Sequence, residues 1–379
     1  MSTGRLQQLL ELGQSVWYDY IRRDLYTGPE LRRLVEQDVL RGMTSNPTIF
    51  EKAIAETNLY DEDIRRKGSA GAAPPQVFEA LAVADVQAAA DVFRPVYDQS
   101  GGNDGFVSIE VGPQLAHDTE GSIAEARRLW QACNRPNVMV KIPGTRAGIP
   151  AIRQCLSEGI NINITLLFAI DRYRDVMEAY LSAAEARLSR QQPVDRLRSV
   201  ASFFVSRVDT NVDKKLDAIA ADERRSGGDR RTAAELRGQL AIANARIAYE
   251  AFEDVFGGPR AKAQQARGVA VQRPLWASTS TKDPKYPDLY YVEALIAPET
   301  VDTMPPETFE AFKDHGRPEV RIAEHVDRAH AALESLRQLG IDFVQVTDEL
   351  EQEGVKKFSE SFDKLMKAVV GKMKAVGVA

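Results

Sequence analysis

Rhythm restricts this chain more than any other feature. Short, nearly continuous apolar runs recur between stretches of helical periodicity along most of its length. The runs are SVWYDYI (15–21), VLRGMTSN (39–46), FVSIEV (106–111), NVMVKIP (137–143), NINITLLF (161–168), SVASFFVSRV (199–208), VQRPLWAS (271–278) and YYVEALIA (290–297). Runs of this kind are expected for parallel strands covered on both faces, and β-α units repeated about eight times predict a closed (β/α)8 TIM-type barrel. An open doubly wound sheet would carry a glycine-rich turn after its first strand, and YDYIRRDLYTG is not one. Pro29 opens a helix, Asn46-Pro47 marks a strand-to-helix boundary, and an alanine-rich helix is expected over 75–97. Residues 221–238 read as a charged surface excursion between two helices. From Pro305 onward the pattern is helical and amphipathic, so residues 305–379 are expected to cap a single barrel domain spanning 1–379.

Composition removes several function classes. The chain has 379 residues, of which 44% are hydrophobic and 27% charged, with a net charge of −6 and no concentrated basic patch. No nucleic-acid or membrane partner is therefore expected. No apolar run approaches the ~18 residues of a membrane span, and MSTGRLQQLLELGQSVW lacks a signal peptide's apolar core, so a cytoplasmic protein is expected. Cys133 and Cys155 have no metal-ligand spacing, and two thiols in so long a chain fit a reducing compartment better than a disulfide scaffold. Each is read as a small buried hydrophobe. No metal and no organic cofactor is expected.

A barrel keeps its chemistry at the C-terminal ends of its strands. The polar residues inside or just after the apolar runs are Asp19, Asn46, Glu110, Lys141, Asn163, Thr165, Ser202, Arg207 and Lys282. Singly, each has an ordinary explanation: Asp19 at a solvated edge, Asn46 as turn chemistry before Pro47, Asn163 and Thr165 as the polar face of a half-exposed strand. Lys141 is the sharpest case. An ammonium inside NVMVKIPGT is costly unless paired or neutralised, so it points either out from an edge or into a site where a lowered pKa is useful. Taken together, a desolvated lysine can attack a carbonyl to form a Schiff base, a carboxylate can move protons, and amides can hold hydroxyls.

With these residues in place, GMTSNPTIF, SIEVGPQLAHDT, VMVKIPGT, GININITLLF, SFFVSRVD and LWASTSTK resemble, in order and across essentially the whole chain, the motifs of transaldolases, especially the longer bacterial ones. The resemblance implies a circularly permuted class I aldolase barrel with Lys141 as the Schiff-base residue. It implies that Asp19 handles the proton at the cleaved bond and that Glu110 and Thr165 activate the catalytic water. Asn46, Asn163 and Ser202 would bind dihydroxyacetone hydroxyls, with Phe204 packing near Lys141. Arg207 would hold the phosphate, and Lys282, helped by Ser278, would stand where many relatives have a second arginine. The implied partners are phosphorylated sugars, with the chain a monomer or homodimer. The rivals are a fructose-6-phosphate aldolase, a pyridoxal-phosphate barrel enzyme and a non-catalytic phosphosugar-binding protein.

Overall fold

The computed structural model describes residues 4–378; the expected domain limits, 1 and 379, lie just outside the described residues. Eight parallel strands close on themselves in sequence order. They are Gln14–Asp19 (β1), Gly42–Thr44 (β2), Phe106–Glu110 (β3), Val138–Pro143 (β4), Ile162–Leu167 (β5), Ser199–Phe204 (β6), Arg273–Ala277 (β7) and Thr300–Met304 (β8), with helices in every connection. This is the (β/α)8 barrel that the rhythm predicts.

Strand alternation sorts the barrel into layers. One parity of positions points inward: Ser15, Trp17 and Asp19 on β1; Phe106, Ser108 and Glu110 on β3; Met139 and Lys141 on β4; Val200, Ser202 and Phe204 on β6. Trp17, Phe106, Met139, Val200, Leu275 and Val301 form one apolar layer that plugs the lower interior. Gly42 belongs to this layer by necessity, because a Cβ there would lie 2.6 Å from the Trp17 indole. The other parity packs outward under the helices in a second, much larger core.

The eighth strand corrects the sequence reading. YYVEALIA is not a strand; Tyr290–Ala294 is helical, and Tyr291, Val292, Leu295 and Ile296 are buried with helical spacing. The strand is TVDTM, which pairs with β1 from Gln14↔Thr300 to Tyr18↔Met304. It escapes an apolar search because it is polar on both faces. Thr303 points into the barrel against Thr44, while Asp302 points outward and accepts from Thr279 at 2.8 Å. The excursion at 221–238 lies between two helices and is largely exposed, as expected. Within it, Gly227–Leu236 forms a helix whose N-terminus is capped by the Ser226 hydroxyl, which accepts from the Asp229 amide.

The alanine-rich helix runs from Pro74 to Gln99. Helices also fill the C-terminal part, ending in the 33-residue helix Phe343–Ala375, which packs against the helix Pro47–Ala55. Cys133 and Cys155 are buried and unpaired, and burial pushes both thiols up to about 12. Among the described residues no helix is long and apolar enough to cross a membrane.

Candidate active site

A cavity of about 580 Å³ opens at the C-terminal ends of the strands. Its wall includes Asp19, Asn46, Glu110, Lys141, Thr165, Ser202, Phe204, Arg207, Ser278 and Lys282. Of the residues singled out in the sequence, Asn163 alone stays off the wall.

Lys141 points inward. Its side chain is only 10% exposed, and the register places Glu110 and Asn163 beside it on β3 and β5. The Nζ donates to the Ser45 carbonyl at 3.1 Å and, over a longer 3.4 Å, to Glu110 Oε2. Burial raises the Glu110 carboxyl above its ordinary pKa, while the charge and hydrogen bond of Lys141 oppose that rise. Glu110 is therefore a proton acceptor whose affinity is poised between two opposing fields.

Asp19 ends β1 on the opposite wall. The Thr44 hydroxyl donates to its Oδ1 at 2.7 Å, and Thr44 in turn shares a 2.7 Å hydrogen bond with Thr303. Since the single Thr44 proton goes to Asp19, the Thr303 hydroxyl donates to Thr44. Burial again raises the carboxyl, with Lys141 and the Thr44 bond acting in the opposite direction. The site thus holds two carboxyls tuned toward proton exchange around one amine, an arrangement suited to general acid–base work.

Hydroxyl-binding groups line the remaining strand ends. The Thr165 hydroxyl has no protein partner among the described residues, and Leu166 after it adopts a left-handed φ of +62° where the β5–β6 register shifts. Asn46 has two duties. Its Oδ1 accepts from the Ile49 amide at 3.1 Å and caps the helix Pro47–Ala55, as its position before proline suggests, while its Nδ2 has no partner among the described residues. Asn163 is fully buried: its Nδ2 donates to Ser108 Oγ at 3.1 Å and its Oδ1 accepts from Ser202 at 2.7 Å. It therefore lies beside Ser202 and orients it.

The anion-binding end lies after β6 and β7. Arg207 sits 4.9 Å over the Phe204 ring, so Phe204 is a platform for the guanidinium. Among the described residues Arg207 has no hydrogen bond or ion pair. The acids that could have claimed it are engaged elsewhere: Asp209 with the Ala241 amide and Tyr291, Asp213 with the Gly238 amide and Tyr286. Burial disfavours the Arg207 charge, which an arriving anion would reverse. Ser278 takes a left-handed φ of +58°, and its hydroxyl meets that of Ser206 at 3.0 Å. Lys282 is exposed on the rim, its Nζ donating to Ser280 Oγ at 2.7 Å.

Several wall residues went unread in the sequence. Thr44 stands two residues after inward-facing Gly42, a parity signal available in GMTSN. Thr303 was lost with its strand. Gly354, Lys357, Phe358 and Ser361 come from the helix Phe343–Ala375, where their spacing marks a single face.

Residues 16–369 match the family described as Transaldolase/Fructose-6-phosphate aldolase. The chain belongs to that family. Among its relatives, Transaldolase 2 of a Nostoc species is 46% identical over 379 residues, covering 99% of each chain. The transaldolase of Frankia alni is 47% identical over 362 residues, covering 95% of each, and that of Acidothermus cellulolyticus is 47% identical over 369 residues, covering 97% of this chain and 96% of its own. The matched family thus spans every strand except the first two residues of β1.

Proposed function

We propose that this chain is a cytoplasmic transaldolase that works without metal or organic cofactor. It moves a dihydroxyacetone unit from sedoheptulose 7-phosphate to glyceraldehyde 3-phosphate, giving erythrose 4-phosphate and fructose 6-phosphate in the pentose phosphate pathway. The observation that carries this reading is the inward amine of Lys141 between the carboxyls of Glu110 and Asp19.

In this reading Lys141 Nζ adds to the ketose carbonyl, and loss of water, with protons passed through Glu110 and a water held by Thr165, gives the imine. Asp19 then takes the proton of the hydroxyl on the carbon being released. The C–C bond breaks, its electron pair moves toward the iminium nitrogen, and the aldose phosphate leaves. The resulting enamine adds to the aldehyde carbon of the acceptor, Asp19 returns the proton to the new alkoxide, and water hydrolyses the imine. Asn46 and Ser202 hold the hydroxyls of the three-carbon unit, Asn163 aligns Ser202, and Arg207 with Lys282 receives the phosphate. An arginine binds phosphate through two parallel hydrogen bonds where a lysine supplies a point charge, so Arg207 is the stronger of the pair.

Borohydride reduction in the presence of fructose 6-phosphate should trap a three-carbon adduct on the peptide containing Lys141. Trapping at another residue, or none, would defeat the reading. The aldolase alternative is separated by omitting the aldehyde acceptor: a transferase then releases little free dihydroxyacetone, whereas an aldolase turns over.

A further inference from the structure

One wall of the cavity does not come from the barrel. The helix Phe343–Ala375 passes over the mouth and presents Gly354, Lys357 and Phe358 to it. At Gly354 an added Cβ would lie 3.0 Å from Leu166 and 3.8 Å from Arg207 Nη1. The absence of a side chain there lets the helix backbone lie directly against the arginine that has no protein acceptor. Flanking this contact, Lys357 Nζ pairs with Glu353 at 2.7 Å across one helical turn. The Glu353 carboxylate also attracts Arg207 without reaching hydrogen-bond distance.

We propose that Lys357 is a specificity-determining residue: it brings a cation from the C-terminal helix to the phosphate held by Arg207, and Glu353 is the counter-charge it gives up on binding. This rests on the transaldolase reading above. A sugar phosphate carries close to two negative charges and three acceptor oxygens, more than one carboxylate offers, so a flexible ammonium at the rim exchanges partners when the phosphate arrives. A substrate without phosphate has nothing to exchange, and the Lys357–Glu353 pair stays closed. The helix thereby distinguishes phosphorylated from neutral sugars.

The test is steady-state transfer by the full chain at saturating sedoheptulose 7-phosphate, with glyceraldehyde 3-phosphate or glyceraldehyde as acceptor. Because Lys357 is half exposed, the effect is modest: Lys357→Met should raise KM for glyceraldehyde 3-phosphate by about 3–10-fold at nearly constant kcat. KM for glyceraldehyde should not move, and Lys357→Arg should restore the wild-type value. Glu353→Gln should act in reverse, tightening competitive inhibition by inorganic phosphate by about 2–3-fold. Arg207→Ala, as reference, should lose about 10–150-fold in kcat/KM with the phosphorylated acceptor only. An unchanged KM in Lys357→Met, or an equal change with both acceptors, overturns the proposal while leaving the transaldolase reading standing. A wild-type chain with no transfer would sink that reading instead.

Discussion

At the N-terminal end of the strands, Asp104 accepts from Ser15 at 2.6 Å, Trp17 at 3.2 Å and Arg273 at 3.3 Å, and Arg273 also donates to Ser15 at 2.7 Å. At the C-terminal end, about 20 Å away by a typical strand length, the Arg207 guanidinium, the Thr165 hydroxyl and the Asn46 Nδ2 have no hydrogen-bonding protein partner among the described residues. Both ends bring charge into a protein interior, and the apolar layer around Trp17 and Phe106 separates them. At one end the charged groups meet most of one another's hydrogen-bonding capacity, with Arg273 Nε the exception. At the other the protein leaves donors open around a cavity, and a ligand must complete them. The contrast teaches that burial of charge alone does not mark a functional site; unfilled hydrogen-bonding capacity beside it does.

The largest expected effect lies at the open end. Lys141→Met should reduce transfer below about a thousandth of wild type, because covalent catalysis has no substitute amine. Its melting temperature should change little, which a thermal scan beside the activity assay would show. Asp19→Asn comes next: cleavage should slow by about 10²–10⁴-fold, the usual share of a positioned acid–base group. Imine trapping at Lys141 should persist, and its disappearance in a folded variant would reverse the assignment of Asp19 to cleavage.

Arg273→Met inverts the pattern. Breaking one side of a buried ion pair should cost on the order of 3–5 kcal/mol of stability by denaturant unfolding, while kcat per folded molecule stays near wild type. A variant that instead loses activity without losing stability would erase the distinction between the ends. The smallest effect concerns pH. Asp302 is buried on the outer face of β8, and burial raises its carboxyl to about 7. A raised folded-state pKa means that folding favours the protonated acid, so this stabilisation is complete below the unfolded pKa and is lost as pH rises through about 7. Asp302→Asn keeps the acceptor for Thr279 and should flatten the decline in stability between about pH 4 and 7. Parallel curves for the two proteins would show that Asp302 does not titrate in this range.

What could be read from the sequence follows from how strongly each residue contrasts with its neighbours. Lys141, Glu110 and Thr165 stand out because their strands are otherwise apolar, and the barrel rule then assigns them one end. Thr303 does not stand out, since β8 carries Asp302 and two threonines in five residues, and YYVEALIA offered a more apolar decoy. Asn163 was found, but its depth was not: alternation tells which face a side chain takes, not whether another side chain lies above it. Lys357 lies more than two hundred residues from Lys141 in the chain, and only the packing of the last helix against Leu166 and the helix Pro47–Ala55 brings it to the cavity.

The buried trio behind the cavity wall gives the site a direction. Asn163 gives one amide proton to Ser108 and meets Ser202 with its carbonyl oxygen, and Ser202 commits its only proton there. What Ser202 turns toward the cavity is then lone pairs alone. It can receive a proton from a sugar alcohol but cannot offer one to a ketone, an ether or a phosphate oxygen. The orientation of one hidden amide thus writes polarity into the pocket: at that point an alcohol fits, and its oxidised or alkylated counterpart meets repulsion.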